Sequence, residues 1–149
     1  TGIPLIINDR EHIALEIGAE GVHVGTTDMP PHEVRKLVGS NMLIGTSVDA
    51  KGTASLPDAR FADYVGIGPV YSTSTKPDHD PPIGFDGLAR LCSASTVPTV
   101  AIGGLSAIDA AQVIAAGADG MCVVSAICGA PDPGSATQVL SDAIRKARS

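Results

Sequence analysis

Short apolar runs of strand length alternate with helix-like stretches along this whole 149-residue chain, and that alternation limits its fold more than any other feature. Residues 3–7 read as a strand and 10–17 as a helix; 21–24 and 31–38 repeat the pair. A strand at 42–46 precedes a weaker helix somewhere within 53–60, whose limits Pro57 blurs. A strand at 64–68, a long loop and a helix at 85–92 form the next unit. Strands at 97–102 and 119–124 lead into helices at 106–116, capped by Ser106 and stopped by Gly117, and at 134–147. About six βα units in succession are the pattern of a parallel sheet. The strands look apolar on both faces, as buried parallel strands do. Gly18-Ala-Glu-Gly21 and Gly117-Ala-Asp-Gly120 repeat one device in which a helix stops, turns at glycine and hands over to the next strand.

Two architectures accept such repeats: an open doubly wound sheet and a closed eight-stranded barrel. Polar residues separate them. Asn8, Asp9, Asp28, Ser47, the Ser72–Lys76 loop, Gly103-Gly104 and Ser125 each fall at or just after the C-terminal end of a predicted strand. Contributions from every strand to one rim mark the active face of a barrel. An open sheet gathers its ligand groups at one switch point. The expected fold is therefore α/β, a TIM (β/α)8 barrel of which about six C-terminal units, strands 3 to 8, are present. Six strands would leave two open edges, so residues 1–149 read as one partial barrel lacking its first two βα units. The chain starts at Thr1 rather than methionine and enters a strand almost at once, which fits a cut N-terminus.

Composition narrows the partners. Hydrophobic residues make up 44% and aromatics only 3%, so Ala, Val, Ile and Leu must build the core. The net charge is -6 and there is no basic run, which argues against a nucleic-acid or acidic-membrane surface. No apolar run is long enough to span a bilayer. Cys92, Cys122 and Cys128 form no Cys-x-x-Cys pair, and read as reduced structural thiols of a cytoplasmic protein.

The strand at 64–68 runs into a loop with Ser72, Thr73, Ser74, Thr75 and Lys76. Hydroxyl donors beside a compact cation suit a phosphate or diphosphate, and Gly66 and Gly68 let a ligand approach the backbone. The same cluster is also an ordinary polar loop composition. Asp9 and Asp28 follow two neighbouring strands, and hard oxygens from adjacent loops are what Mg²⁺ takes, with water and phosphate oxygens completing the shell. Aspartate before a helical pattern is equally an N-cap. Gly103-Gly104 and Ser125 end the last two strands, where barrels seat phosphate; two tight turns would use the same residues. His12, His23, His32 and His79 have no metal-ligand spacing, and His23 reads as a satisfied strand histidine rather than a base.

Taken together, the residues resemble the thiamine phosphate synthase family. The matching pieces are Pro4-Leu-Ile-Ile-Asn-Asp-Arg10, Gly21-Val-His-Val-Gly25 with Asp28-Met-Pro30, Ile44-Gly-Thr-Ser47, and Ala62-Asp-Tyr-Val-Gly-Ile-Gly-Pro-Val-Tyr71. They continue with Thr73-Ser-Thr-Lys-Pro77, Val100-Ala-Ile-Gly-Gly104, Ala116-Gly-Ala-Asp-Gly120 and Val123-Val-Ser-Ala-Ile127, in family order from end to end. The resemblance implies an eight-stranded barrel that joins hydroxymethylpyrimidine diphosphate to thiazole phosphate, with Mg²⁺, giving thiamine phosphate and diphosphate. It implies that Asp9 and Asp28 hold Mg²⁺, that Asn8 and Lys76 contact the diphosphate, and that Ser47 lies by the pyrimidine. Thr73, Thr75, Gly104, Val124 and Ser125 would bind the thiazole phosphate. Lys76, Asp9 and Asp28 would carry the catalysis.

There are departures from the family pattern. A Gln-x-Arg-x-Lys segment that grips the diphosphate in the family precedes the part represented here, so the chain is expected to be inactive by itself. Thr26, Asp49 and Ser72 replace a frequent glutamine, histidine and proline. Two alternatives differ in class: a thiazole tautomerase-like isomerase, against which Asp49 counts, and a non-catalytic phosphate-ligand-binding module of a multifunctional thiamine protein. Fusion to, or homo-oligomers with, thiamine-pathway domains are part of the same expectation.

Overall fold

The computed structural model describes residues 2–50, 56–76 and 79–149. Six parallel strands form one sheet in sequence order: β1 (Ile6–Asn8), β2 (Gly21–Val24), β3 (Leu43–Val48), β4 (Tyr64–Ile67), β5 (Thr99–Ile102) and β6 (Gly120–Cys122). Helices α1 (Glu11–Ile17), α2 (Pro31–Val38), α3 (Leu56–Ala59), α4 (Gly84–Ala94), α5 (Ala110–Ala115), α6 (Ser125–Cys128) and α7 (Pro133–Ala147) fill the connections. The part of the expected 53–60 helix before Leu56, and Pro77 with Asp78 of the long loop, lie outside the described residues.

Most elements fall where the alternation places them, and the differences have local causes. The apolar run at 3–7 becomes a strand only from Ile6, because β1 has a single neighbour and its ladder starts at Ile6 opposite Gly21. Ile3 and Leu5 stay outside it, 76% and 52% exposed. The helix expected from Ser106 begins with a 3-10 turn, Ala107–Asp109, in which the Asp109 carboxylate accepts the Ser106 N–H at 2.8 Å. The strand expected at 119–124 ends at Cys122, and α6, which the alternation did not reveal, follows it. In α7, Pro133 occupies the first turn while Asp132 accepts the N–H groups of Gly134 and Ser135, a stronger start than the glycine alone suggested.

The two faces of the sheet are chemically different, contrary to the reading of strands apolar on both sides. Val22, Val24, Ile44, Val65, Ile67 and Ala101 are buried in the apolar core together with helix residues such as Ala14, Val34, Leu88, Leu91 and Val113. The alternate positions form rows across the other face. Asn8 lies opposite His23, His23 opposite Gly45, and Gly45 opposite Tyr64. The next row runs Ser47, Gly66, Val100, Gly120. This second face is curled. Ile6 and Asn8 of β1 and Cys122 of β6 line the same hollow, whereas six strands laid flat would hold the outer two about 24 Å apart. The described sheet is thus an incomplete barrel wall with β1 and β6 as its open edges.

Candidate active site

The concave face holds a cavity of about 500 Å³ at the C-terminal ends of the strands. Asn8, Asp9, Asp28, Ser47 and Lys76 all line it, so five residues from four successive strands and the connections that follow them converge. Had Asp9 and Lys76 projected from opposite faces, no shared pocket could exist. Instead the two side chains lie near enough for the lysine's charge to act on the carboxyl.

Local backbone geometry aims the two aspartates. Asp9 has φ of 60°, the left-handed region that aspartate tolerates better than most residues, and its N–H donates to the His23 carbonyl at 2.8 Å. That bond extends the β1–β2 ladder one residue past the strand and turns the Asp9 side chain into the rim. Asp28 folds back on its own loop, with Oδ2 accepting the Gly25 N–H at 2.7 Å. A Cβ on Gly25 would stand 2.8 Å from that oxygen, so a side chain there would push the Asp28 carboxylate off its place. Neither aspartate caps a helix: α1 is preceded by Arg10 and α2 by Pro30. The capping alternative is thereby removed.

The Asp9 carboxyl is held above the ordinary carboxylate range. Burial is the largest cause, followed by a hydrogen bond with Asp28 and the repulsion of the Asp28 charge; Lys76 and Arg10 pull the other way. Two carboxyl groups facing each other with a lysine alongside are a site that gains from a further cation. Among the described residues no group of three or more His, Cys, Asp or Glu side chains is placed to hold a metal. A carboxylate pair is nevertheless a sufficient protein contribution for Mg²⁺, which keeps several waters or phosphate oxygens in its shell. The donor set therefore fits Mg²⁺ delivered with a phosphorylated substrate and does not resemble a closed structural site.

A second hollow of about 200 Å³ adjoins the first and shares Gly25, Thr26, Ser47, Gly66, Lys76 and Ile102 with it. Thr73 and Gly103 line this part, with Asp49, His79 and Asp80. The His79 ring braces the long loop: Nε2 accepts the Thr73 N–H at 3.3 Å while Nδ1 donates to the Asp80 carbonyl at 2.6 Å. Thr75 donates its N–H to the Thr73 hydroxyl at 3.2 Å. The Gly103-Gly104 turn packs on the β4 loop, where Val70 and Tyr71 donate to the carbonyls of Ile102 and Gly103. A Cβ on Gly103 would lie 2.5 Å from Pro69, and one on Gly104 2.8 Å from Tyr71. Close packing alone thus demands both glycines. Thr75, Gly104 and Val124 lie in the loops after β4, β5 and β6 and Ser125 opens α6, but none of the four lines either hollow.

Three further side chains in the floor of the main cavity carry no site role in the sequence analysis. His23, read there as satisfied, bridges Tyr64 Oη at 3.1 Å and Ser47 Oγ at 3.0 Å. Burial lowers its pKa, against the opposing charge of Asp28, so the ring is held neutral. Tyr64 and Cys122 are the other two. The alternation of apolar and polar positions along β2, β3 and β4 was the signal that could have found them.

Comparison with known proteins settles the family. The family model described as thiamine monophosphate synthase matches residues 1–127. The chain belongs to the thiamine monophosphate synthase family. It is 49% identical to the thiamine-phosphate synthase of Laribacter hongkongensis over 140 residues, 93% of this chain and 65% of that protein. It is 44% identical to the thiamine biosynthesis bifunctional protein ThiM/ThiE of Symbiobacterium thermophilum, over 99% of this chain and 31% of that one. Among solved structures, thiamine phosphate pyrophosphorylase from Pyrococcus furiosus superposes with a TM-score of 0.83 at 32% identity, covering 97% of this chain and 68% of that chain. The chain thus spans under two thirds of the length of several curated relatives it matches. Among the described residues no helix is long and apolar enough to cross a membrane.

Proposed function

We propose that this chain is the larger part of a thiamine-phosphate synthase, a transferase joining hydroxymethylpyrimidine diphosphate to thiazole phosphate. The observation that carries the reading is the meeting of Asp9, Asp28 and Lys76 in one cavity with Asn8 and Ser47. In the reaction the bond between the pyrimidine's exocyclic methylene and the diphosphate oxygen breaks, and its electron pair leaves with diphosphate. The thiazole nitrogen lone pair forms the new carbon–nitrogen bond, so no proton has to be abstracted. That demand agrees with a site whose central histidine is neutral and tied on both sides.

Asp9 and Asp28 are the residues that would hold Mg²⁺, which when bound supplies positive charge against the departing diphosphate. Lys76 supplies a fixed ammonium at the place where negative charge grows, and Asn8 orients the leaving group. Ser47 holds the pyrimidine on the cavity floor. Thr73 and the Gly103 turn, in the adjoining hollow, take the thiazole phosphate together with Thr75, Gly104, Val124 and Ser125. Holding both substrates in one curved wall supplies much of the acceleration by orientation. Asp49, in the second hollow, stands where a tautomerase would present a histidine, and favours the synthase reading.

The open edges at β1 and β6 support a barrel completed by two further βα units, with the described strands as its third to eighth. The bifunctional relative makes fusion to another thiamine-pathway domain a natural arrangement, and a cytoplasmic location suits both phosphorylated substrates. The decisive experiment is turnover of the two substrates by the complete protein. Asp9→Ala and Lys76→Ala should each lower it about 10²-fold or more. Unchanged turnover in either variant rejects the assignment.

A further inference from the structure

The His23–Tyr64–Ser47 chain is built into the fold with unusual care. A Cβ on Gly45 would fall 2.3 Å from both His23 Nδ1 and the Tyr64 ring, and one on Gly66 would touch His23 Cε1 at 3.4 Å. Gly45 therefore leaves the room in which the imidazole lies between the two hydroxyls, while a side chain at Gly66 would only meet the ring in ordinary contact. All three side chains line the main cavity.

A neutral imidazole has one N–H and one lone pair. If Nδ1 carries the proton, it donates to Tyr64 Oη, and the tyrosine's own hydrogen is free to point into the cavity. Nε2 then accepts the Ser47 hydrogen, so Ser47 offers only lone pairs. In the other tautomer Tyr64 donates to Nδ1, Nε2–H donates to Ser47, and the outward roles exchange. In either case only one of the two hydroxyls has a hydrogen free for the cavity while the other offers lone pairs alone, so the two can never donate into it at once.

We propose that His23 is a positioning residue that lets only one of Ser47 and Tyr64 donate into the cavity at a time, making the cavity floor complementary to a heterocycle that carries both a ring-nitrogen acceptor and an amino donor. An aminopyrimidine has both. The proposal rests on the reading of Ser47 as the residue beside the pyrimidine, and adds the device that selects such a ring over one that presents acceptors alone.

The test uses the 149-residue chain with ¹⁵N-labelled histidine and 4-amino-2-methylpyrimidine, which has neither phosphate nor metal. The His23 nitrogens should show a single proton shared between tautomers in the free protein, and addition of the base should drive them to one tautomer. Ser47→Ala and Tyr64→Phe should each weaken binding about five- to tenfold. Their combined loss should be non-additive with His23 present and additive in a His23→Phe background. Binding that leaves the tautomer populations unchanged overturns the proposal, and that measurement needs no variant to fold. Failure of the base to bind also overturns it. The synthase reading then survives only if inorganic diphosphate with Mg²⁺ still perturbs Lys76.

Discussion

At the scale of single residues, Asp9 shows how position decides chemistry. The sequence presented it as a metal ligand or a helix cap, and spacing could not choose. Its left-handed backbone and its bond to the His23 carbonyl take it out of the helix and set it against Asp28. The raised Asp9 pKa has a definite sign for linkage. The proton is bound more tightly in the folded chain than in the unfolded one, so the stability it contributes is complete below the unfolded carboxylate pKa. It is lost as pH rises through the folded value. A divalent cation competes with that proton, and its affinity should fall on acidification at a higher pH than for an isolated carboxylate. A carboxyl-detected NMR titration checks the causes separately. Asp28→Asn should lower the Asp9 midpoint, since it removes the repelling charge, and Lys76→Ala should raise it. No movement in either variant would mean that the two groups do not share a site.

At the scale of elements, an acid at the foot of a strand latches the strand before it. Glu20, one residue before β2, accepts the Leu5 N–H at 2.8 Å. Asp63, before β4, accepts the Ile44 N–H at 2.8 Å, and Asp119, before β6, accepts the Thr99 N–H at 2.8 Å. The repeated Gly-Ala-acid-Gly segments were visible in the sequence as helix stops, but the function of the acid was not, because its partner lies on a different strand. Asp63 also pairs with Arg35 of α2 at 2.7 Å, tying helix to sheet. Asp63→Ala orphans the N–H of fully buried Ile44, and should lower stability by about 1–3 kcal/mol in urea unfolding. A loss no larger than that of an exposed surface substitution would show the latch to be idle. The same contrast explains what was legible. Strand and helix order, the rim of polar ends, and the convergence of Asn8, Asp9, Asp28, Ser47 and Lys76 follow from local pattern and one topological rule. The two chemically distinct sheet faces were written in the alternation along β2, β3 and β4, whereas the His23 bridge depends on cross-strand register, which a single strand's sequence does not carry, and α6 is a single turn too short to show a helical period.

At the scale of the whole molecule, the curl that creates the cavity also leaves it unfinished. Among the described residues β1 and β6 each have one free edge, and apolar side chains stay exposed just before β1 at Ile3 and Leu5 and at the end of α1 at Ile17, 76%, 52% and 55% exposed. Unpaired edges beside apolar side chains favour association between copies. The 149-residue chain should therefore show a mass that rises with concentration in sedimentation velocity, and Leu5→Lys with Ile17→Lys should return it toward the monomer. In a completed barrel these side chains would be covered by the neighbouring βα units, and the same substitutions would place ammonium groups where apolar surface is buried. Their effect should then reverse: they improve the behaviour of the 149-residue chain and destabilise the complete protein. That reversal separates barrel closure from ordinary surface exposure, since lysines on a face that stays open would leave the complete protein's stability almost unchanged. A complete protein indifferent to both lysines would mean that its barrel does not close over this edge.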